Sequence, residues 1–578
     1  MTVYPSDKPW LKLYDEGVPH SLQPYPEHPL HEFLERSARD YPDRPAVIFQ
    51  NQPLSYRELN DLTDRLAAVL AGIGVKKGDR VAVFMPNSPQ FPIAFYAILK
   101  AGGVVTTISP LDAPAQIEHK LNYADAETIL ITSNFYEQFK ALQSNTPTKR
   151  VIVTHIKEYM PAALKLLFPV LALLKADLKV HQVKLRDGDV WLPDLLIRYT
   201  AAQRPKVEIS PDDVAVLQFT GGTTGVPKAA VELHRSLVAN TLQIRSWLPD
   251  TRTGEEVTLM AIPLFHVYGM VAGMSYSIAS AAALVMIGNP RDLDDILDNI
   301  EKWKATIYPG VPTMYNAINN HPRVQAGEVD VTSIRACISG SAPLLQETQE
   351  RFEKLTGASL REGFGMSEAP TATHCNPMYG ENRKGSIGLP MPDVECRIVS
   401  LEDGVTDLPA GEVGELVLHA PNLMQGYWEM PTETTNALRK GPDGKKWLYS
   451  GDIAKMDEDG YFYIVDRKKD MVIVSGFNVY PTNIEEVLIQ HPKIMEVAVA
   501  GITDPYRGET VKAWVVLKPG ETATEEEMIE WAKDSGQLAA YERPRIVEFR
   551  DELPKTLVGK VLRRELVEQH EKTTASSD

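Results

Sequence analysis

Apolar positions in the first third of the chain switch between helical and strand spacing. Leu59, Leu62, Leu66, Val69, Leu70 and Ile73 form one helical stripe. Ser55-Tyr56-Arg57-Glu58 precedes the stripe as a capping box, in which hydroxyl and carboxylate each satisfy a free backbone N–H. Gly72 and Gly74 end the helix. Val81-Ala82-Val83-Phe84-Met85 is an unbroken apolar run, suited to a strand covered on both faces. A second helix is expected near Phe91 to Leu99, followed by Gly102-Gly103 and a β-branched run from Val104 to Ile108. This alternation predicts α/β layering over a largely buried sheet.

The C-terminal stretch reads as a separate module. A helix is expected from Asn483 to Gln490, strands at Val497 to Ala500 and Ala513 to Leu517, and a capped helix opening at Thr524 to Glu527 that Gly536 would stop. Asp466-Arg467-Lys468-Lys469-Asp470 is a run of charges expected to lie at an exposed junction. The expected organisation is a large multi-subdomain part over 1–465, a hinge over 466–470, a small mobile α+β domain over 471–572 and a disordered tail over 573–578. Ala162 to Leu178 stands apart, with Leu164, Leu166, Leu167, Phe168, Val170, Leu171, Leu173 and Leu174 among lysines 165, 175 and 179. It is too short to span a bilayer, and Pro169 interrupts it. A core helix and an interfacial helix with its lysines at headgroup level are both open readings.

The length of 578 residues implies several packed subdomains. A formal charge of −17 argues against a nucleic-acid partner, and it leaves any anionic substrate dependent on local N–H groups, a metal ion or single cations. Cys337, Cys375 and Cys396 are too few and too scattered for a disulfide framework or a metal cage, which fits a reducing, cytoplasmic setting. Met1 to Trp10 lacks the apolar core of a signal peptide, and the tail matches no lipidation or peroxisomal signal.

The most informative stretch is Gln218-Phe219-Thr220-Gly221-Gly222-Thr223-Thr224-Gly225-Val226-Pro227-Lys228. It follows an apolar strand, Val214 to Leu217. Its glycines allow several N–H groups to converge on one anion, its threonines can donate to phosphate oxygens, and Lys228 adds a cation. The spacing is not that of P-loop NTPases, because Pro227 precedes the lysine and Ala229 follows it.

Together with motifs downstream, this loop resembles the adenylate-forming superfamily that contains acyl-CoA synthetases, firefly luciferase and the adenylation domains of peptide synthetases. The resemblance runs from about Phe33 to Glu565. The loop and the stretch Lys468 to Pro481 look closest to bacterial long-chain fatty-acid–CoA ligases.

By this resemblance ATP or AMP would be held by Thr220, Gly221, Gly222, Thr223, Thr224, Gly225 and Lys228. Ser339-Gly340-Ser341-Ala342-Pro343 would run beside the adenine and acyl sites, contributing Gly340, Ser341 and Ala342. In Glu362-Gly363-Phe364-Gly365-Met366-Ser367-Glu368 the aromatic would stack on adenine, Ser367 would contact the α-phosphate and Glu368, with Thr220, would ligate Mg²⁺. Asp452 in Tyr449-Ser450-Gly451-Asp452 would bind the ribose hydroxyls together with Arg467, and Lys469 would be the hinge residue. Pro263 to Met270 resembles an aromatic motif that places His266 beside the acyl carbonyl, in a positioning role. The acyl pocket is expected along Tyr268, Gly269, Met270, Gly310 and Val311, and the CoA path along Ser475, Gly476 and Phe477. Lys560, in Leu553 to Arg564, is the foremost catalytic candidate. Departures from the common pattern are Gly221 for a frequent Ser, Ala229 for Gly, Ser450 for Thr and Glu542 at an often basic position.

The implied activity joins a long-chain fatty acid to CoA through an acyl-adenylate, with ATP and CoA as substrates and Mg²⁺ as cofactor. An aryl or medium-chain ligase, an enzyme that loads a carrier protein and a catalytically dead scaffold are the alternatives. Intact Lys560, Glu368 and Asp452 speak against the last. Chain length preference and oligomeric state are not legible, and peripheral membrane contact through Ala162 to Leu178 stays open.

Overall fold

The computed structural model describes residues 2–174, 183–220, 227–441, 443–474, 477–504, 508–556 and 560–575. A seven-stranded sheet has the order Val190–Trp191, Arg150–Thr154, Thr128–Thr132, Arg80–Phe84, Val104–Thr107, Val214–Thr220, Lys228–Leu233. All neighbours are parallel except the final pair, which is the antiparallel pair of strands on either side of residues 221–226. Its continuous apolar runs are explained by cover on both faces: Val83, Phe84, Ile129, Leu130 and Ile131 are fully buried. The helix Gln90–Lys100 is buried on every side. That includes the Lys100 ammonium, which is satisfied by Asp64 Oδ1 at 2.7 Å and Thr63 Oγ1 at 2.8 Å. The helix Tyr56–Gly72 opens on the expected capping box: Ser55 Oγ accepts from the Glu58 N–H at 3.2 Å, and Glu58 accepts from the Ser55 N–H at 2.8 Å.

A second sheet contains Val257–Met260, Ala283–Met286, Pro45–Phe49 and Gln52–Ser55. Ile307 bridges it to a third, made of Ala336–Ser339, Ser359–Met366, Ala369–Cys375 and Leu389–Pro390. A fourth, antiparallel sheet holds Glu395–Val399, Gly414–His419, Lys446–Met456, Leu438–Lys440 and Phe462–Arg467. The C-terminal module builds its own sheet from Phe477–Val479, Val472–Val474, Gly508–Leu517, Ile494–Asp504 and Ile546–Phe549, around a separate core that includes Val499, Val515, Leu488 and Met528.

Three expectations change. The charged run at 466–470 is not uniformly exposed: Asp466 is buried, and its carboxylate accepts the N–H groups of Arg467 at 2.7 Å and Thr482 at 2.9 Å. A buried carboxylate is tolerated there because the backbone supplies donors. The helix Arg563–Ala575 continues through the expected start of the tail at 573, while 576–578 lie outside the described residues. Ala162–Leu174 is one helix despite Pro169, and it divides the two readings of that segment. Leu166 and Leu167 are 82% and 52% exposed, whereas Phe168 is buried against the His155 ring. Residues 175–182 of that stretch lie outside the described residues.

Candidate active site

One cavity of about 590 Å³ gathers most of the sequence motifs, with both modules contributing to its wall. Thr220 and Lys228 face each other across the hairpin at one end of it. The Lys228 ammonium lies 5.3 Å from the Tyr427 ring centroid and pairs with Glu433. Tyr427 in turn donates from its hydroxyl to Glu368 Oε1 at 2.8 Å. Glu368 Oε2 has no hydrogen-bond partner among the described residues, so one carboxylate oxygen is held and the other is available.

The turn that presents Glu368 joins Ser359–Met366 to Ala369–Cys375. Gly365 is required by close approach: a Cβ there would lie 1.5 Å from the Thr371 carbonyl oxygen. Phe364 meets His374 edge to face at 6.0 Å and lines the cavity with Gly363, Met366 and Ser367. Gly340 and Ser341 line it from the neighbouring strand end. Glu362 and Ala342 do not line the cavity. The Glu362 carboxylate accepts the Leu344 N–H at 3.2 Å, tying the 340–344 loop to the strand, and burial pushes its pKa up to about 8.

At the domain junction Arg467 Nε bonds Asp452 Oδ1 at 2.9 Å. Asp452 is buried; burial raises its pKa, opposed by Arg467 and Lys560. Ser450 Oγ is committed to the Leu416 carbonyl at 2.7 Å. Lys560, from the small domain, enters the cavity beside Arg467 and Lys469 and keeps solvent contact. Desolvation, then repulsion by Arg467 and Lys469, pulls the Lys560 ammonium down to about 8. Lys469 is lowered for related reasons, desolvation first.

His266 lines the cavity with its Nδ1 accepting the Tyr268 N–H at 3.2 Å, which places the proton of the neutral ring on Nε2. Burial lowers its pKa to about 4, so the ring is neutral at physiological pH. That suits positioning rather than proton transfer.

Of the residues expected along an acyl pocket, only some line this cavity. Tyr268 lines the cavity, but Gly269, Met270, Gly310 and Val311 do not. Gly269 is pressed against the Pro263 backbone and Gly310 against the Tyr315 ring, while Met270 and Val311 are core. The apolar lining of the cavity comes from Ile244, Val267, Ala272, Ile338, Ala372 and Met391, and His374 and Cys375 line it as well. Met391 and Ile244 belong to no motif, and Ala272 sits on a π-helix, Gly269–Ser275, of the kind that recurs at functional sites. Tyr427 was also missed. Phe477 lies outside the cavity, half exposed and stacked on Tyr541 at 4.5 Å. Gly221, Gly222, Thr223, Thr224, Gly225, Ser475 and Gly476 lie outside the described residues.

Comparison with known proteins agrees with this arrangement. The family described as AMP-binding enzyme matches residues 34–428, and the AMP-binding enzyme C-terminal domain matches 483–560. The chain is 41% identical over 568 residues to a long-chain-fatty-acid–CoA ligase of Bacillus subtilis, covering 98% of each. It is 38% identical over 567 residues to a long-chain-fatty-acid–CoA ligase of Escherichia coli, covering 97% of this chain and 98% of the other. The ATP-bound crystal structure of MatB from Rhodopseudomonas palustris aligns with a TM-score of 0.81 at 28% identity, covering 94% of this chain and 99% of that one. With its large and small parts both matched, the chain belongs to the AMP-binding enzyme family.

Proposed function

We propose that this enzyme joins a long-chain fatty acid to CoA in two half-reactions at the one cavity. The observation that carries the reading is the entry of Lys560, from the small domain, into the cavity that Thr220, Ser367 and Glu368 line from the large one. A carboxylate oxygen of the acid attacks the α-phosphorus of ATP, the bond to pyrophosphate breaks, and an acyl-adenylate forms. Both reactants are anions, so the barrier is repulsion and alignment. Lys560 bridges the carboxylate and the α-phosphate. Lys228 and the loop over 221–226 take the pyrophosphate end. Asp452 and Arg467 hold the ribose, and Phe364 stacks on the adenine. The apolar wall from Ile244 to Met391 receives the chain.

The free Glu368 carboxylate oxygen and the Thr220 hydroxyl are hard oxygen donors on the phosphate side, a set that fits Mg²⁺. When bound, the ion offsets phosphate charge. In the second half-reaction the CoA sulfur attacks the acyl carbonyl, the bond to AMP breaks, and the thioester forms. Lys560 occupies the side from which CoA must come, so the small domain swings about Lys469 between the steps, replacing Lys560 with the Ser475-Gly476-Phe477 loop.

Peripheral membrane contact is a further part of this reading. No helix among the described residues is long and apolar enough to cross a membrane. The exposed Leu164, Leu166 and Leu167 beside Lys165 suit shallow contact where the fatty acid concentrates. Liposome co-sedimentation of Leu164, Leu166 and Leu167→Ser should be weaker than wild type; equal sedimentation rejects it. The ligase reading itself is tested by AMP release across free acids with and without CoA. Long-chain acids should be preferred and CoA should be required for turnover. A preference for aryl acids, or turnover with a carrier protein only, contradicts it.

A further inference from the structure

A second cavity, of about 420 Å³, opens where the strand Lys228–Leu233 runs into the helix His234–Trp247 and meets the segment 419–425. It shares no lining residue with the catalytic cavity. Leu233, Met424 and Leu438 form apolar walls. Arg235, His419 and Lys446 supply its basic groups, and no Asp or Glu among the described residues lines it, in a chain whose formal charge is −17. Arg235 is shared with Asp212, whereas Lys446 has no carboxylate partner among the described residues. A wholly polar anion would leave the walls unused, and a wholly apolar ligand would leave the cation unused. We propose that this cavity binds a single-chain amphiphile with an anionic head, its chain against Leu233, Met424 and Leu438 and its head at Lys446.

The site has a route to the chemistry. The Met424 N–H donates to the Glu368 carbonyl at 2.9 Å, the Gln425 N–H donates to the Val231 carbonyl at 2.9 Å, and Tyr427 holds the Glu368 side chain. An occupant leaning on Met424 therefore acts on the segment that positions the catalytic carboxylate, which makes the pocket a place for control by lipid.

Equilibrium dialysis of the full-length protein against radiolabelled palmitate, and separately against radiolabelled lysophosphatidic acid, tests the site and separates a carboxylate head from a phosphate head. One bound equivalent should survive Ala272→Trp, which fills the catalytic cavity. The same equivalent should weaken at least tenfold in Lys446→Glu, an exposed change that spares the core, and vanish in Leu438→Trp. An equivalent that persists in both variants, or no equivalent beyond the one that Ala272→Trp removes, overturns the proposal. Whether Ala272→Trp itself removes an equivalent reports on the catalytic cavity alone, so the two sites fail independently.

Discussion

The Tyr427 hydroxyl donates to Glu368 Oε1 at 2.8 Å while the same ring lies 5.3 Å from the Lys228 ammonium. One tyrosine thus holds the Glu368 carboxylate and the Lys228 ammonium in register, the two groups proposed above to face the metal and the phosphates. Tyr427→Phe removes a hydrogen bond to a charged group, worth about 1.5 kcal/mol, or about tenfold. The Mg²⁺ concentration for half-maximal adenylation should rise by up to that factor, and Glu368→Gln should raise it further. An unchanged Mg²⁺ dependence in both variants would place the metal elsewhere.

Gly365 has no room for a side chain, since its Cβ would lie 1.5 Å from the Thr371 oxygen. Gly365→Ala must displace the turn that carries Ser367 and Glu368. Overpacking of this kind costs about 1–3 kcal/mol. Calorimetric titration with ATP should show affinity falling by about tenfold or more. Wild-type affinity would mean that the turn does not hold the nucleotide.

Lys560 is charged below about 8 in the free enzyme and neutral above it. Bridging two anions needs the cation, so kcat/KM for adenylation should decline as pH rises through about 8. Lys560→Arg, which keeps its charge, should be slower but should lose that alkaline limb. An alkaline limb retained by the arginine variant assigns the titration to another group.

Lys469 lies between two fixed points: the Lys468 N–H donates to the Gly451 carbonyl at 2.8 Å and the Asp470 N–H to the Arg467 carbonyl at 2.9 Å. Its own N–H makes no backbone bond among the described residues, so Lys469→Pro removes torsional freedom without removing a bond. Stopped-flow assays should find thioester formation strongly slowed and adenylation largely kept. Equal rates in both half-reactions would move the hinge.

Local signals were legible in the sequence. The capping box at Ser55 and Glu58 forms as its spacing requires, and the contiguous motif around Glu368 forms one wall because all its residues lie on one hairpin. Tyr427 was not legible because its partner is 59 positions away and no local pattern marks the pair. The apolar lining of the cavity was not legible for the same reason: Ile244, Ala272 and Met391 come from three distant segments, while Gly269 and Met270 are buried and do not line it. Asp466 breaks the pattern of its charged neighbours because its carboxylate turns inward to backbone donors, which composition alone does not reveal.

The division of labour at Lys560 is tested most directly by separating the half-reactions. Wild-type enzyme mixed with ATP, Mg²⁺ and palmitate without CoA should yield palmitoyl-AMP and one pyrophosphate for each adenylate, measured by mass spectrometry after quenching. Lys560→Ala should form almost none, yet should convert supplied palmitoyl-AMP and CoA to palmitoyl-CoA at near the wild-type rate. Equal loss of both half-reactions in the variant, or no palmitoyl-AMP from the wild type, would contradict the account.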